Sequence, residues 1–236
     1  MNDSAVKAMF ETIAPSYDFQ NSFLSLRRDI YWRRVLADIL RLETGGVVVD
    51  VAVGTAETAL AISLRYPRVQ VVGVDFSPAM LMVGKQKIAG RGDRTRVSLS
   101  AGDGRQLPIR SESADAVTIS FGLRNIEERA LALDEFHRVL KPGGNLYIME
   151  FSYPDQPLLY RLYRFYFDHI LPPVGNLISR TNYAYSYLAE SVESFPRDEQ
   201  FVAEICAAGF VDPKIKKLTF GITKIFQGRK KVQEAQ

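Results

Sequence analysis

The chain has 236 residues, 47% of them apolar and 24% charged, which suits one domain with a full core. A net charge of +3 excludes the strongly basic balance of a nucleic-acid binder, while a pI near 8.9 would not repel an anionic membrane. The single cysteine, Cys206, excludes an internal disulfide framework and fits a reducing cytoplasm, and no apolar run approaches the about 18 residues that a membrane span needs.

The elements follow in chain order. The first seven residues carry no basic region leading into an apolar core, so no secretory or transit segment is expected. Residues 1 to about 42 read as helices. The β-branched run 47–51 predicts the first strand, 56–66 a helix, 69–74 a second strand and 78–89 a second helix. Further strands are predicted over 97–100, 116–120 and 145–151, with a helix over 129–140. The turn Lys141-Pro-Gly-Gly144 separates that helix from the strand after it. Residues 153 to about 195, rich in Tyr, Phe, Leu and Pro, stand where a sixth strand would come and read as a mostly helical insertion. A helix over 198–208 and strands over 211–218 and 222–228 complete the chain. Strands alternating with helices predict right-handed crossovers and a doubly wound, seven-stranded, mostly parallel α/β sheet, with one antiparallel strand from the C-terminal hairpin. The whole chain, 1–236, is expected to be a single domain. Locally, Cys206 is expected to be buried on a helix face, and Arg229, Lys230 and Lys231 to form a solvated tail.

Open α/β sheets bind ligands beyond the carboxyl ends of their strands, where strand order reverses. Gly54 follows the first strand and lets backbone approach a ligand closely. Asp75 ends the second strand, where an acid can accept hydrogen bonds from both ribose hydroxyls. Loop and acid together suit a nicotinamide dinucleotide or S-adenosylmethionine. Gly54-Thr-Ala lacks the third glycine of a dinucleotide fingerprint, which favours S-adenosylmethionine. Asp103, after the third strand, can take the exocyclic amine of adenine or simply serve as a turn residue between Gly102 and Gly104. Ser120 ends the fourth strand and would face the cofactor. No Cys/His cluster has metal-ligand spacing, so no metal is expected.

Several stretches carry a resemblance. Asp50-x-Ala-x-Gly-Thr55, Gly73-Val-Asp75, Gly102-Asp103 and Arg138-Val-Leu-Lys-Pro-Gly-Gly144 look like a class I S-adenosylmethionine-dependent methyltransferase. More specific are Thr118-Ile-Ser-Phe-Gly-Leu-Arg-Asn125, Met149-Glu-Phe-Ser152, Ala14-x-x-Tyr17-Asp18-x-x-Asn21 and the stretch from Ala184 to Pro196. Together, from about Met9 to Lys230, they resemble the ubiquinone/menaquinone biosynthesis C-methyltransferase family. The resemblance implies methylation of a ring carbon of a prenylated quinol, most readily demethylmenaquinol or the corresponding ubiquinone precursor. It implies cofactor contacts at Asp50, Gly54, Thr55, Asp75, Asp103, Gly104 and Ser120. The family reads Gly-Thr-Gly-Asp where this chain has Gly54-Thr55-Ala56-Glu57. At positive φ, Ala56 would cost about 1 kcal/mol; at negative φ its methyl would only crowd the ligand.

A ring carbon becomes nucleophilic when the neighbouring hydroxyl ionises, and a phenol has a pKa near about 10. A cation or a general base lowers that barrier. Arg124 is the candidate to stabilise the phenolate oxygen, with Asn125 orienting the ring; alternatively Arg124 pairs with Glu127 or Glu150. His169 is a candidate base or a surface residue, and His137 carries no catalytic role. The apolar residues of 1–42 and 153–195, Phe10, Ile13, Tyr17, Tyr163 and Tyr166 among them, form core or else a lid that accepts the isoprenoid tail. Arg161 and Arg164 would then face lipid headgroups at the inner face of a membrane. A homodimer is a further expectation. The other function readings are a non-catalytic cofactor-binding subunit of a quinone-making complex and a methyltransferase for another apolar small molecule.

Overall fold

The seven strands join one sheet in the order β3-β2-β1-β4-β5-β7-β6. They are β1 (Val47–Val51), β2 (Gln70–Asp75), β3 (Val97–Ala101), β4 (Ala114–Ser120), β5 (Leu140–Phe151), β6 (Phe210–Leu218) and β7 (Thr223–Lys230). Strands β1 to β5 pair parallel, and β7 runs antiparallel to both β5 and β6. The computed structural model describes residues 3–42, 45–91, 96–166, 169 and 184–232. Its helices include α1 (Asp3–Ile13), α2 (Tyr17–Leu24), α3 (Arg28–Ile39), α4 (Glu57–Arg65), α5 (Pro78–Arg91), α6 (Arg129–Val139), α7 (Pro157–Phe165), α8 (Ala184–Ser194) and α9 (Asp198–Ala207). The doubly wound sheet expected from the alternation is therefore present, with element ends within a few residues of those predicted.

Successive residues of β1 serve opposite faces, as the period of two requires. Val48 packs on one face with Leu36 of α3, Leu60 of α4 and Leu81 of α5. Val49 and Val51 pack on the other with Phe136 of α6 and Phe201 of α9. With both faces covered, β1 can be almost wholly β-branched and apolar, except at Asp50. The order reverses between β1 and β4, so the loops that leave these two strands border one crevice. Helix α1 lies over that end of the sheet, with Phe10 edge-on to Tyr17 and Phe76.

Three local expectations are corrected. Lys141 to Gly144 lies inside β5, as a bulge opposite Asp115: Ala114 pairs with Leu140 and Ala116 with Asn145. Gly143 takes φ +81°, and Lys141 Nζ reaches Asp115 at 2.7 Å. Lys230 is the end of β7 rather than tail. It is buried, and its ammonium donates to the carbonyls of His137 (3.0 Å) and Leu140 (2.8 Å), satisfying the C-terminus of α6. Cys206 is exposed, because α9 buries the Phe201 and Ile205 stripe and Cys206 lies beside it. Residues 167, 168 and 170–183 of the proposed insertion lie outside the described residues.

Candidate active site

A cavity of about 420 Å³ opens at the carboxyl ends of β1, β2 and β4. Its floor is the loop after β1, where Ala52, Gly54 and Ala56 all take positive φ (+50°, +54° and +68°). Such a loop turns its amides inward. The Gly54 N–H donates to Asp75 Oδ2 at 2.7 Å and the Ser77 N–H to Asp75 Oδ1 at 2.9 Å. A carboxylate offers about four lone-pair sites, so these amides leave capacity for a ligand hydroxyl. Burial pushes the Asp75 carboxyl above the usual range, against the pull of these amides.

Asp103 closes another side. The Arg105 guanidinium and backbone N–H hold it below the ordinary carboxylate range, so it is ionised. It is thus both the turn residue and a wall of the cavity. Gly104 and Ser120 also line the space, and Ser120 Oγ accepts from Thr58 Oγ1 at 3.1 Å. Gly122 is required on the facing loop: a Cβ there would lie 2.5 Å from that of Ala52. Ser4, Lys7 and Phe10 of α1 complete the enclosure.

Two sequence-predicted residues stand behind the cavity rather than in its lining. The β1–β4 register sets Asp50 beside Thr118, whose hydroxyl donates to Asp50 Oδ1 at 2.6 Å. Asp50 is 1% exposed, its Oδ2 has no partner, and burial pushes its pKa up to about 7. Thr55 is also buried and donates to Asp18 Oδ1 of α2 at 2.5 Å. Lys87 of α5 joins Asp18 to Glu57, at 2.7 Å from the latter. Thr55 therefore ties the N-terminal helices to the loop.

A second cavity, of about 340 Å³, is mostly apolar. Phe10, Tyr17 and Phe121 line both cavities and form the partition between them. Behind Phe121 lie Trp32 and Phe151, the latter stacked on Phe121 at 4.4 Å. Tyr163, Tyr166 and Tyr187 supply the far wall. Arg124 lines this second cavity, not the first. Its guanidinium pairs with the fully buried Glu150 at 2.8 Å and lies 5.3 Å over the Phe151 ring, while its buried Nε has no partner. The pairing with an acid foreseen for Arg124 is thus present, and the acid is Glu150. Asn125 lines the first cavity and accepts from the Tyr187 hydroxyl at 3.0 Å. His169 is exposed, stacks on Phe165 and lines neither cavity.

Residues 1–230 match the ubiE/COQ5 methyltransferase family. The chain belongs to that family. It is 41% identical to the ubiquinone/menaquinone biosynthesis C-methyltransferase UbiE of Geotalea daltonii, covering 95% of this chain and 96% of the relative. It is 42% identical to the demethylmenaquinone methyltransferase of Thermus thermophilus, covering 93% and 99%. Among solved structures, a SAM-dependent methyltransferase of Thermotoga maritima shares the fold, with a TM-score of 0.66 and 20% identity over 95% of this chain and 99% of that one. A Haemonchus contortus phosphoethanolamine N-methyltransferase in complex with S-adenosyl-L-methionine gives 0.60, at 16% identity, over 83% and 51%.

Membership gives the departure at Ala56 its meaning. The residue has φ +68° and no exposure, so the positive-φ case holds. Its methyl packs toward Gly84 of α5, where an added Cβ would lie 3.3 Å away, and Ala56 is not among the residues lining the first cavity. The substitution thus costs about 1 kcal/mol of backbone strain, and its methyl faces α5. Sequence reasoning missed Lys7, Arg105, Asp29, Trp32 and Arg33 as lining residues. Trp32 carried a signal, being the only tryptophan of the chain, beside an arginine on a helix next to the quoted Tyr17–Asn21 motif.

Proposed function

We propose that this family member transfers the methyl group of S-adenosylmethionine to a ring carbon of a prenylated quinol, most readily demethylmenaquinol. The observation that carries the reading is the pairing of two cavities across one aromatic partition. One lies at the strand ends and carries the Asp75 and Asp103 carboxylates; the other is the more apolar and is enclosed by α1 to α3, α7 and α8. S-adenosylmethionine, when bound, supplies a methyl group on a positive sulfur that is already a good electrophile.

This chain's residues provide the rest. Asp75 receives the ribose hydroxyls, and Asp103 with Gly104 faces the adenine. Asp50 supports the loop from beneath, and Thr55 holds the N-terminal helices over it. Phe121 and Tyr17 meet the quinol ring where the two cavities join, which sets the ring carbon in line with the sulfur–methyl bond. Arg124 presents its unpartnered Nε–H to a quinol oxygen as charge develops there. Asn125, fixed by Tyr187, orients the ring. Helices α1 to α3 serve as the lid, and the aromatic cavity receives the start of the isoprenoid tail.

The outer surface of the lid and of α7 fits the same substrate. Leu158, Leu162 and Phe165 form an exposed stripe on α7, and Phe19, Phe23 and Leu26 are exposed on and beside α2, with Arg27, Arg28 and Arg161 nearby in sequence. No helix among the described residues is long and apolar enough to cross a membrane. We read this surface as a peripheral contact through which a membrane-borne quinol enters.

Incubating the protein with carbon-13 methyl-labelled S-adenosylmethionine and reduced demethylmenaquinol tests the reading. The expected product carries the label on ring carbon. Label on oxygen, or transfer only to other apolar acceptors, would refute it.

A further inference from the structure

Methylation at carbon requires the quinol hydroxyl to give up its proton, and arginine is no proton acceptor. Among the described residues, three carboxylates line the two cavities: Asp75 and Asp103 on the cofactor side, and Asp29 on the apolar side. Asp75 and Asp103 line only the first cavity, on the other side of the partition from the apolar one. Asp29 is placed differently. It lies in the first turn of α3 on the wall of the apolar cavity and is 7% exposed. Ser25 Oγ donates to its Oδ1 at 2.9 Å. Arg33 donates to its Oδ2 at 2.8 Å, and Ser22 Oγ approaches Oδ2 at 3.4 Å. Across the cavity stand Tyr163 and Tyr166 of the α7 segment, Tyr187 of α8, Tyr17 of α2, and Arg124 with its partner Glu150.

A buried ion pair in an apolar wall contributes little net stability, because desolvation offsets the attraction. Its position suggests why it is there. The Arg33 guanidinium lies 5.7 Å over the ring of Phe121, the residue shared by both cavities. The Asp29–Arg33 pair thus stands beside the partition across which the methyl group must pass.

We propose that Asp29 is the general base of the reaction and Arg33 its positioning residue. The inference rests on the quinol reading given above. The quinol O–H bond breaks and its proton passes to the Asp29 carboxylate. The oxygen's electron pair moves into the ring, the ring carbon bonds to the methyl group, and the sulfur–methyl bonding pair stays on sulfur as the neutral thioether. The methylated carbon then loses its hydrogen to water while Asp29 returns its proton to the oxygen. The sum is methylquinol, S-adenosylhomocysteine and one proton.

The test has two parts. In the first, single-turnover methyl transfer to demethylmenaquinol is followed against pH for wild type and Asp29→Asn. The variant is expected to be about 10²- to 10⁴-fold slower near neutrality. Its rate should climb about tenfold per pH unit as hydroxide replaces the base, whereas wild type stays flat. A variant whose profile runs parallel to wild type, or whose rate is unchanged, would overturn the proposal. The second part needs no variant and no turnover. Wild type should bind 1-naphthol about 10- to 100-fold more tightly than 1-methoxynaphthalene, which has no proton to donate to a carboxylate. Equal affinity for the two would also overturn it. If wild type methylates no quinol at all, the quinol reading has failed; if it does and Asp29→Asn keeps the wild-type profile, Asp29 alone has.

Discussion

The two cavities share a wall but are built in different ways. The cofactor-side cavity is made by backbone: a loop with three residues at positive φ, two inward amides on Asp75, and a turn at Asp103. Its polar groups come from strand ends, whose positions the sheet fixes. The apolar cavity is made by side chains from α1, α2, α3 and the segments after β5, with charges buried as the pairs Arg33–Asp29 and Arg124–Glu150. A site of the first kind is sensitive to local conformation. One of the second kind is sensitive to the removal of a single partner, because the remaining charge is left stranded in an apolar wall.

The comparison breaks most visibly at Arg124. Arg124→Ala leaves Glu150 buried and unpaired, which should destabilise the protein by about 3–5 kcal/mol. Chemical denaturation checks this. Binding of S-adenosylhomocysteine by the still-folded fraction should persist, since Arg124 lines only the apolar cavity. Asp75→Ala is the converse. It removes two charge-assisted hydrogen bonds of about 1.5–3 kcal/mol each, so calorimetry should show S-adenosylhomocysteine affinity reduced by about 10²- to 10⁴-fold. Binding of 1-naphthol in the apolar cavity should be unchanged.

An effect spread over several pH units sharpens the account of what lies behind the loop after β1. Asp50 has a native pKa of about 7 against an unfolded value near about 3.9. Between these pH values the folded protein holds a proton that the unfolded chain has released. The Asp50 contribution to stability is therefore full below pH about 4 and is lost as pH rises toward about 7. The loss is at most about 1.4 kcal/mol per pH unit. Subtracting Asp50→Asn melts from wild-type melts over this range should show that slope; a flat difference would contradict it. The smallest effect belongs to Ala56→Gly. Relief of about 1 kcal/mol of strain is offset by loss of a buried methyl worth about 0.8 kcal/mol. Stability should be almost unchanged. Cofactor affinity should also hold within about twofold, and a larger change in calorimetry would mean that the methyl reaches the ligand.

The same contrast explains what was legible in the sequence. The strands were readable because β-branched runs such as Val47–Val51 have to be covered on both faces. Asp75, Asp103, Gly104 and Ser120 were readable because strand ends and turns locate them. Asp50 and Thr55 share the same motif, but side-chain direction along β1 and the docking of Asp18 take them out of the lining. That depends on the N-terminal helices, whose packing no spacing rule expresses. Asp29 escaped notice for a related reason: on its own it reads as an acid near a helix start, and only the fold brings it to the partition at Phe121. Lys230 looked like tail because a basic run carries no record of the strand pairing that buries it.

A crystal structure with S-adenosylhomocysteine and 1-naphthol bound together tests the two-cavity account most directly. The account predicts ribose hydroxyls within hydrogen-bonding distance, about 3 Å, of Asp75. It also predicts the naphthol ring among Trp32, Phe121 and Tyr163, with its ring edge toward the sulfur. Both ligands competing for the cavity at Asp75, or the naphthol lying outside the space enclosed by α1 to α3, would contradict it.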